Sequence, residues 1–345
     1  MPELVRIYFE VRFMNITNRL QNFLKVSAFI TAGAMLAACG GSGGSSDSAG
    51  AGTDPGTDPG AGTDPGTDPV VNVCTQEVTG VNWDALLTEN CAKLSNYNLF
   101  ADAADPTSGP NSGGIPYDMS TPLFTDYATK YRFVFVPDGE VATYSDDEVM
   151  EFPVGTVLVK TFSIPADTAN RGVNETNIET RLLIHRANGW VARPYYWDSA
   201  TDASYIVTGK TIADVTITHK DEPLTFDYGI PQQNQCTNCH AVVPIIQGPE
   251  DKRRSIFKPI GPKARFLNTD YAYAGGTENQ LAHWENAGIL TGAPSDKTTI
   301  VDAPIFKDTT DISALTTEEL NVMARGYLDI NCAHCHSSEV TIGVP

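Results

Sequence analysis

Hydrophobic and polar side chains alternate along the middle of the chain, between residues 115 and 228, as they do in half-buried β-strands. Residues 131–136 (YRFVFV) and 156–162 (TVLVKTF) show this pattern most clearly, and both are rich in β-branched or aromatic side chains. A turn-forming Pro-Asp-Gly sequence at 137–139 follows the first run. Several short strands at regular spacing predict a β-rich domain, sandwich or barrel-like, over residues 73–228.

The clearest single element within this region is a hairpin. Residues 181–187 and 190–197 both have strand-like patterns, and an Asn-Gly pair at 188–189 lies between them, which is the strongest short-range hairpin signal. Its second strand brings four aromatic residues together: Trp190, Tyr195, Tyr196 and Trp197. Such residues either line a ligand groove or pack in the core, and packing is the commoner role.

A short helix is predicted at the N-terminal end of the β-rich domain. Trp83, Leu86 and Leu87 recur there at helical spacing, and Cys74 and Cys91 bracket the segment.

The pattern changes after residue 228, where Gly and Pro interrupt short helical stretches. Residues 278–287 predict a helix that ends before Gly288, since glycine suits the position after a helix C-terminus. Thr316 and Glu319 form a capping box that begins a further helix, whose apolar side chains fall on one side. Residues 229–345 are therefore predicted to form a mainly α region.

The first 38 residues have the character of an export signal. A basic flank precedes an apolar run of thirteen residues at 26–38, which is too short for a bilayer span of about 20 residues. The run ends in Leu-Ala-Ala-Cys-Gly, which resembles a bacterial lipobox and implies acylation of Cys39. A buried helix with a chance cysteine is the alternative. We expect residues 1–38 to be a lipoprotein signal. The chain would then be exported and anchored by lipid to a bacterial membrane. We favour the outer membrane, with the protein facing the periplasm or the cell exterior.

Residues 39–72 follow as a predicted disordered tether. The segment is built almost entirely from Gly, Ser, Thr, Asp, Pro and Ala, and the sequence Thr-Asp-Pro-Gly occurs three times in it. Without large apolar side chains, nothing there offsets the loss of chain entropy on folding.

The charge of the chain restricts its partners. Lys and Arg number 23 against 42 Asp and Glu, which gives a formal net charge of −19. Such a chain repels phosphate backbones, so we expect no nucleic-acid partner. It suits partner proteins that dock through a basic surface.

Two Cys-x-x-Cys-His sequences, at residues 236–240 (CTNCH) and 332–336 (CAHCH), carry the strongest chemical signal. This spacing presents two thiols to the vinyl edge of haem and places the following His under the iron. The prediction is two covalently bound haem c groups, attached through Cys236, Cys239, Cys332 and Cys335, with His240 and His336 as proximal iron ligands. A zinc site and a dithiol redox pair are the competing interpretations.

The seven cysteines are consistent with this assignment. Cys39 takes lipid and four cysteines take haem, which leaves Cys74 and Cys91, 17 residues apart. These two either form one disulfide or remain as unpaired thiols.

Seven stretches of the chain also resemble a family of bacterial periplasmic dihaem c-type cytochromes. They are TPLFTDYATKYRFVFVP (121–137), FPVGTVLVKTF (152–162), ETRLLIHRANGWVARPYYW (179–197), YGIPQQNQCTNCH (228–240), PIGPKARFLN (259–268), NQLAHWENAGIL (279–290) and ARGYLDINCAHCH (324–336). The resemblance covers about residues 90–340 and implies electron transfer by covalent haem, with a cytochrome c-like haem region over residues 229–345. Members of the family continue well past their second motif, so we expect this sequence to be C-terminally truncated.

The sixth ligands of the irons are harder to assign. A c-type haem usually has Met or His opposite its proximal His. His283 is the best candidate for the first haem, with His185 and His219 as alternatives. The mature chain has three methionines, all of which we expect in the core: Met119, Met150 and Met323. The second haem is expected to find its sixth ligand beyond residue 345.

Six basic residues stand close together in this acidic chain: Lys252, Arg253, Arg254, Lys258, Lys263 and Arg265. They either pair with haem propionates or form a solvated basic loop.

Three functions fit these predictions. The first is an electron carrier with two haems. The second is a haem enzyme of the dihaem peroxidase or oxidase type, in which the β-rich domain shapes a substrate site. The third is a binding module that uses its haems as sensors. No acid–base pair of the kind that the enzyme requires stands out in the sequence.

Overall fold

The computed structural model describes residues 72–242, 256–307 and 310–336. The predicted signal, Cys39 and all but the last residue of the tether lie outside these ranges, as does the basic stretch 252–254. Within the described part of the chain, no helix is long and apolar enough to cross a membrane.

The described residues contain sixteen β-strands. In chain order they are β1 (Phe100–Asp102), β2 (Asp105–Pro110), β3 (Gly114–Pro116), β4 (Thr129–Phe135), β5 (Ala142–Thr143), β6 (Val157–Pro165), β7 (Glu175–Arg186), β8 (Gly189–Tyr196), β9 (Ser204–Tyr205), β10 (Lys210–His219), β11 (Glu222–Ile230), β12 (Ala241–Val242), β13 (Ile256–Phe257), β14 (Asp270–Tyr273), β15 (Gly276–Asn279) and β16 (Leu290–Thr291).

The α-helices of the described residues are fewer than the strands. The α-helices are α1 (Trp83–Thr88), α2 (Cys236–His240), α3 (Ala264–Leu267), α4 (Gln280–Asn286), α5 (Thr317–Leu328) and α6 (His334–His336). A π-helical turn, Asp329–Ala333, joins α5 to α6. Short 3₁₀ turns are found at Val73–Thr75, Leu94–Tyr97, Gln233–Gln235, Lys297–Thr299 and Ile312–Ala314.

The central element is an antiparallel sheet with the strand order β3-β4-β6-β7-β8-β9. Successive side chains of a strand point to opposite faces, so Val157 and Val159 reach one apolar cluster while Leu158 and Phe162 reach two others. Five two-stranded sheets accompany it in the described residues. The prediction of a β-rich region is therefore confirmed. The strand order of the large sheet is open, because its edge strands β3 and β9 do not pair with each other.

The predicted hairpin is confirmed, with a shift of its turn. β7 and β8 pair in register from Arg186 opposite Gly189 to Glu179 opposite Tyr196. The loop is Ala187-Asn188, and Gly189 already begins β8 with a φ of 110°, a conformation that favours glycine.

The N-terminal segment covers one face of the sheet through the first apolar cluster, which includes Leu86 of α1 and Leu182 of β7. The disulfide between Cys74 and Cys91 ties this segment together, as one of the two sequence alternatives predicted. The backbone carbonyl of the buried Cys91 accepts a hydrogen bond of 2.8 Å from the Tyr195 hydroxyl. The disulfide is therefore joined directly to the sheet.

On the opposite face, a second cluster joins the sheet to the C-terminal segment. Val134 and Leu158 of the sheet pack with Phe266, Trp284 and Ile330, all of them buried. Ile330 lies two residues before the second Cys-x-x-Cys-His sequence. The predicted β-rich region and the predicted haem region thus share one core.

The predicted helix boundaries after residue 228 agree with the structure in part, since the helix predicted over 278–287 spans Gln280–Asn286 and its first two residues belong to β15. α4 ends close to Gly288, whose φ is 75°, and the capping box at the start of α5 is formed by Thr316 and Glu319. The expected burial of one apolar side of α5 is found only in part, because Met323 is buried while Leu328 is 56% exposed. The helices of the described residues after 228 are short, and they do not form a cytochrome-type helical domain.

Candidate functional site

The first Cys-x-x-Cys-His sequence forms the short helix α2. β11 leads into it and ends at Ile230, which is buried in the third apolar cluster against the large sheet. One helical turn separates Cys236 from Cys239, so both thiols fall on one side, with Cys236 half-buried and Cys239 exposed. The motif is therefore held against the sheet by the strand that precedes it.

The imidazole of His240 is fixed in one tautomer. Its Nδ1 lies 2.7 Å from the backbone carbonyl oxygen of Lys258, and its ring stacks on Phe257 at 4.9 Å. A carbonyl only accepts hydrogen bonds, so Nδ1 carries the proton and Nε2 keeps its lone pair. Burial lowers the pKa of His240 to about 4, against the opposing effect of the Lys258 hydrogen bond. The ring is neutral near pH 7 and able to bind a metal through Nε2.

The second Cys-x-x-Cys-His sequence is shared between the π-helical turn and α6. Asp329, at the start of the turn, accepts ion pairs from Lys263 at 2.9 Å and from Arg265 at 3.2 Å. Cys332 and Cys335 are half-buried, whereas His336 is exposed. The beginning of this motif is anchored, and its proximal histidine is on the surface.

The two motifs lie against each other, which the sequence does not predict. The Cys335 thiol lies 3.7 Å from the backbone carbonyl oxygen of Asn238, within the first motif. The sulfurs of Cys239 and Cys335 and a ring nitrogen of His334 all lie within 4.8 Å of one another. Burial raises the pKa of Cys335, and the neighbouring Cys239 raises it further. The Cys335 thiol is thus protonated at neutral pH unless it reacts or binds a metal.

A cavity of about 710 Å³ opens beside both motifs. This volume falls within the range of about 300–1,000 Å³ that is typical of cofactor sites. Apolar and aromatic walls come from Met150, Phe152, Trp190, Val242, Pro259 and Ile260, and the three lining histidines are His185, His240 and His334. Lys258, Lys263 and Arg265 also line it, together with four acidic residues: Asp147, Glu148, Glu151 and Asp329. Half of the six basic residues noted in the sequence therefore face one cavity, and two of these three already pair with Asp329.

His185 faces this cavity from the sheet. Its Nδ1 lies 3.0 Å from the carbonyl oxygens of both Phe152 and Pro153, and its ring stacks on Trp190 at 4.6 Å with the planes only 7° apart. As for His240, the carbonyl partners require the proton on Nδ1 and leave a lone pair on Nε2.

The other two candidates for a sixth ligand have different surroundings. The structure places His283 on α4, where its Nδ1 lies 2.5 Å from a Glu278 carboxylate oxygen and its ring stacks on Tyr273 at 3.5 Å. His219 lies at the end of β10, with its Nδ1 2.9 Å from the Thr168 hydroxyl. Neither ring is among those that line the cavity beside His240.

The four aromatic residues of the β8 segment have separate roles. Tyr195 and Trp197 are buried in the first cluster, and Tyr196 packs against the third. Trp190 is half-buried and lines the cavity. Core packing, the commoner role, thus applies to three of them, while Trp190 belongs to the candidate site.

A row of three cations crosses the sheet near the first motif, which sequence patterns did not single out. Arg132, Lys160 and Arg181 are direct cross-strand neighbours on β4, β6 and β7. Arg181 forms a bidentate ion pair with the buried Glu179, with contacts of 2.6 and 2.8 Å. Burial lowers the pKa of Lys160 well below its ordinary value, and the charges of both arginines lower it further. Burial raises the pKa of Cys236, and the charge of Arg181 opposes this.

These features fit a covalently bound haem at the first motif. The donor set provides two thiols on one side of a helix and an imidazole with a free Nε2, and the adjoining cavity combines apolar walls with basic and acidic side chains. The second motif has the same types of donor, but only its Ala333 and His334 line this cavity, and within the described residues no hydrogen bond fixes the ring of His336.

Comparison with known proteins adds no further constraint, because no family model, curated protein or solved structure matches this chain.

Proposed function

We propose that this protein is a dihaem c-type cytochrome that transfers electrons in the periplasm or at the cell surface. The observation that carries the proposal is the first motif, where two thiols lie on one side of a helix and Cys239 and His240 line a partly apolar cavity of cofactor size. Cys236 and Cys239 would hold the first haem covalently, and His240 would bind its iron. When bound, the haem would supply one-electron chemistry.

The contact between the two motifs supports electron transfer between two haems rather than two haems that act independently. Because the sulfurs of Cys239 and Cys335 lie within 4.8 Å, the attached edges of two haems would be close neighbours. The second haem would be attached through Cys332 and Cys335, with His336 as its proximal ligand. The resemblance to periplasmic dihaem cytochromes belongs to this proposal, as does anchoring through an acylated Cys39. The acidic charge favours redox partners with a basic docking surface.

The chain's own residues have defined roles in this proposal. The Lys258 carbonyl holds the proton of His240 on Nδ1 and so directs Nε2 to the metal. Trp190, Phe152 and Ile260 would pack against a bound porphyrin. Lys258, Lys263 and Arg265 would offer charges to its propionates, although Lys263 and Arg265 also pair with Asp329.

One observation favours a second candidate, a metal–thiolate site. Cys239, His334 and Cys335 bring three ligand atoms within 4.8 Å, and structural zinc takes thiolate and imidazole ligands. Such a site would link the two motifs structurally and carry no electrons, since zinc has no redox chemistry.

The deciding experiment is expression of the full chain with an export signal and a c-type haem maturation system. We expect a haem-stained band on denaturing gels and an intact mass increased by two haems, with no stoichiometric zinc. The double variants Cys236→Ala/Cys239→Ala and Cys332→Ala/Cys335→Ala serve as matched controls, each retaining one haem. A chain that carries one zinc and no covalent haem would contradict the proposal and establish the metal–thiolate site.

A further inference from the structure

We infer that His185 is the axial ligand opposite His240 on the first haem, an inference that rests on the function proposed above. It would complete a bis-histidine iron site in which one ligand comes from the motif helix and the other from the central sheet. The inference starts from the cavity, which both rings line.

The two histidines share the hydrogen-bonding arrangement that iron ligation requires. Nδ1 of His240 donates to the Lys258 carbonyl, and Nδ1 of His185 donates to the carbonyls of Phe152 and Pro153. Each ring therefore keeps Nε2 as the only nitrogen with a free lone pair. A histidine that binds a metal through one nitrogen commonly donates its other N–H to a backbone carbonyl.

The sheet holds His185 rigidly in place. Its backbone N–H donates to the Thr156 carbonyl at 2.8 Å, and its own carbonyl accepts from the Gly155 N–H at 2.7 Å. Its ring stacks on Trp190, the directly opposite residue on β8. Backbone, ring plane and tautomer are thus fixed before any ligand binds, which reduces the entropic cost of ligation.

His334 and Met150 line the same cavity and are weaker candidates. The ligand nitrogen of His334 lies within 4.8 Å of the sulfurs of Cys239 and Cys335, which would bond the edge of the porphyrin. An axial ligand must instead stand over the centre of the ring. Met150 is only 3% exposed and packs in the second apolar cluster, so its thioether already has a structural role.

The test compares variants of the full-length haem protein. His185→Ala removes the proposed ligand. His185→Asn also removes it but keeps an amide that can donate to the Phe152 and Pro153 carbonyls. His283→Ala, at the histidine favoured by sequence, is the matched control. All are scored for covalent haem by gel stain and mass, and for spin state by absorbance and electron paramagnetic resonance.

We expect both His185 variants to keep two covalent haems, while one of the two changes from low-spin to high-spin and gains carbon monoxide binding. Added imidazole should restore the low-spin spectrum of His185→Ala, and His283→Ala should match the wild type. An unchanged low-spin spectrum in both His185 variants would overturn the inference. The inference would also be overturned if His334→Ala or Met150→Leu, and not the His185 variants, changed one haem from low-spin to high-spin. Absence of haem from the wild-type chain would instead reject the proposed function, so the two failures are distinguishable.

Discussion

The two Cys-x-x-Cys-His motifs have the same pattern but different surroundings. In the first, the ring of His240 is stacked on Phe257 and hydrogen-bonded to Lys258, and the strand before it is buried against the sheet. In the second, His336 is exposed and follows a π-helical turn, at the end of a helix whose Leu328 is largely exposed.

This difference shows how much of a metal site lies outside its motif. Five residues specify where a cofactor is attached, but the hydrogen-bond partner, the ring orientation and the opposite ligand come from elsewhere in the chain. For the first motif, the stacking partner of His240 is Phe257 of β13 and its hydrogen-bond partner is the next residue, Lys258; under the proposed function, His185 of β7 would be the opposite ligand. For the second, the described residues fix only its start, through the ion pairs of Asp329.

The largest expected effect is the loss of one haem, a different one in each of two double variants. Cys236→Ala/Cys239→Ala should remove one haem and the bis-histidine spectrum, whereas Cys332→Ala/Cys335→Ala should remove the other haem and leave that spectrum intact. Absorbance and intact mass of the two proteins measure this. Identical residual spectra would mean that the surroundings of the two motifs are equivalent, contrary to the structure.

The next largest effect tests whether both motifs depend on one core. Replacing Cys74 and Cys91 by Ser opens a disulfide-closed segment of about 17 residues and should lower the free energy of unfolding by about 3 kcal/mol. Because the second cluster joins sheet and C-terminal segment, the absorbance of both haems should change in one transition during urea denaturation. Two separate transitions would contradict the shared core.

A smaller effect is a pH dependence that belongs to the surroundings of the first motif. The pKa of Lys160 is far below 10.5 in the folded protein because of burial and the two flanking arginines. Between the folded pKa and about 10.5 the unfolded chain binds more protons. The contribution of Lys160 to the free energy of unfolding therefore rises with pH, by at most about 1.4 kcal/mol per pH unit.

Lys160→Met should abolish that rise and increase stability at neutral pH. The exposed Lys210 provides the control variant, Lys210→Met, which should leave the pH dependence as it is in the wild type. Urea denaturation from neutral to alkaline pH measures both. The charged groups that act on the pKa of Lys160 are Arg181, Arg132, Lys130 and Glu179. An unchanged slope in Lys160→Met would show that Lys160 stays charged in the folded state.

The smallest effect concerns the helix that carries the second motif. Thr316→Ala removes the capping bond from the Glu319 N–H to the Thr316 hydroxyl and should cost about 1 kcal/mol. Hydrogen exchange should become faster in α5 and the π-helical turn and stay unchanged at His240. Thr316→Ser, which keeps the hydroxyl, should behave like the wild type. Faster exchange at both motifs would indicate that α5 supports the first motif as well.

Local sequence signals predicted the elements well. The strands around residues 131–136 and 156–162, the hairpin, the capping box at Thr316 and the helix end near Gly288 depend on neighbouring residues, and these the structure confirms. Each of these signals lies in a short stretch of chain. Counting cysteines over the whole chain left the disulfide between Cys74 and Cys91 as one of two alternatives, and the structure shows that it forms.

The arrangement of the site could not be predicted in the same way. His185 and His240 are 55 residues apart, and they line one cavity only because β7 lies in the sheet against which the first motif is held. The sequence favoured His283 because it follows the first motif in the chain, although proximity in sequence does not determine which face of a sheet a side chain reaches. The cation row likewise depends on strand register, which aligns Arg132, Lys160 and Arg181 across three strands.

The closeness of the two motifs also has a consequence for the order of assembly. The thiols of Cys239 and Cys335 lie within 4.8 Å in the folded chain. In an oxidising compartment, thiols so close together are substrates for oxidation to a disulfide, which would remove one attachment site from each haem. Under the proposed function, the first haem must therefore be bonded to Cys236 and Cys239 before α6 docks onto α2. The late synthesis of the second motif, almost a hundred residues after the first, gives the maturation machinery an interval in which to complete this step.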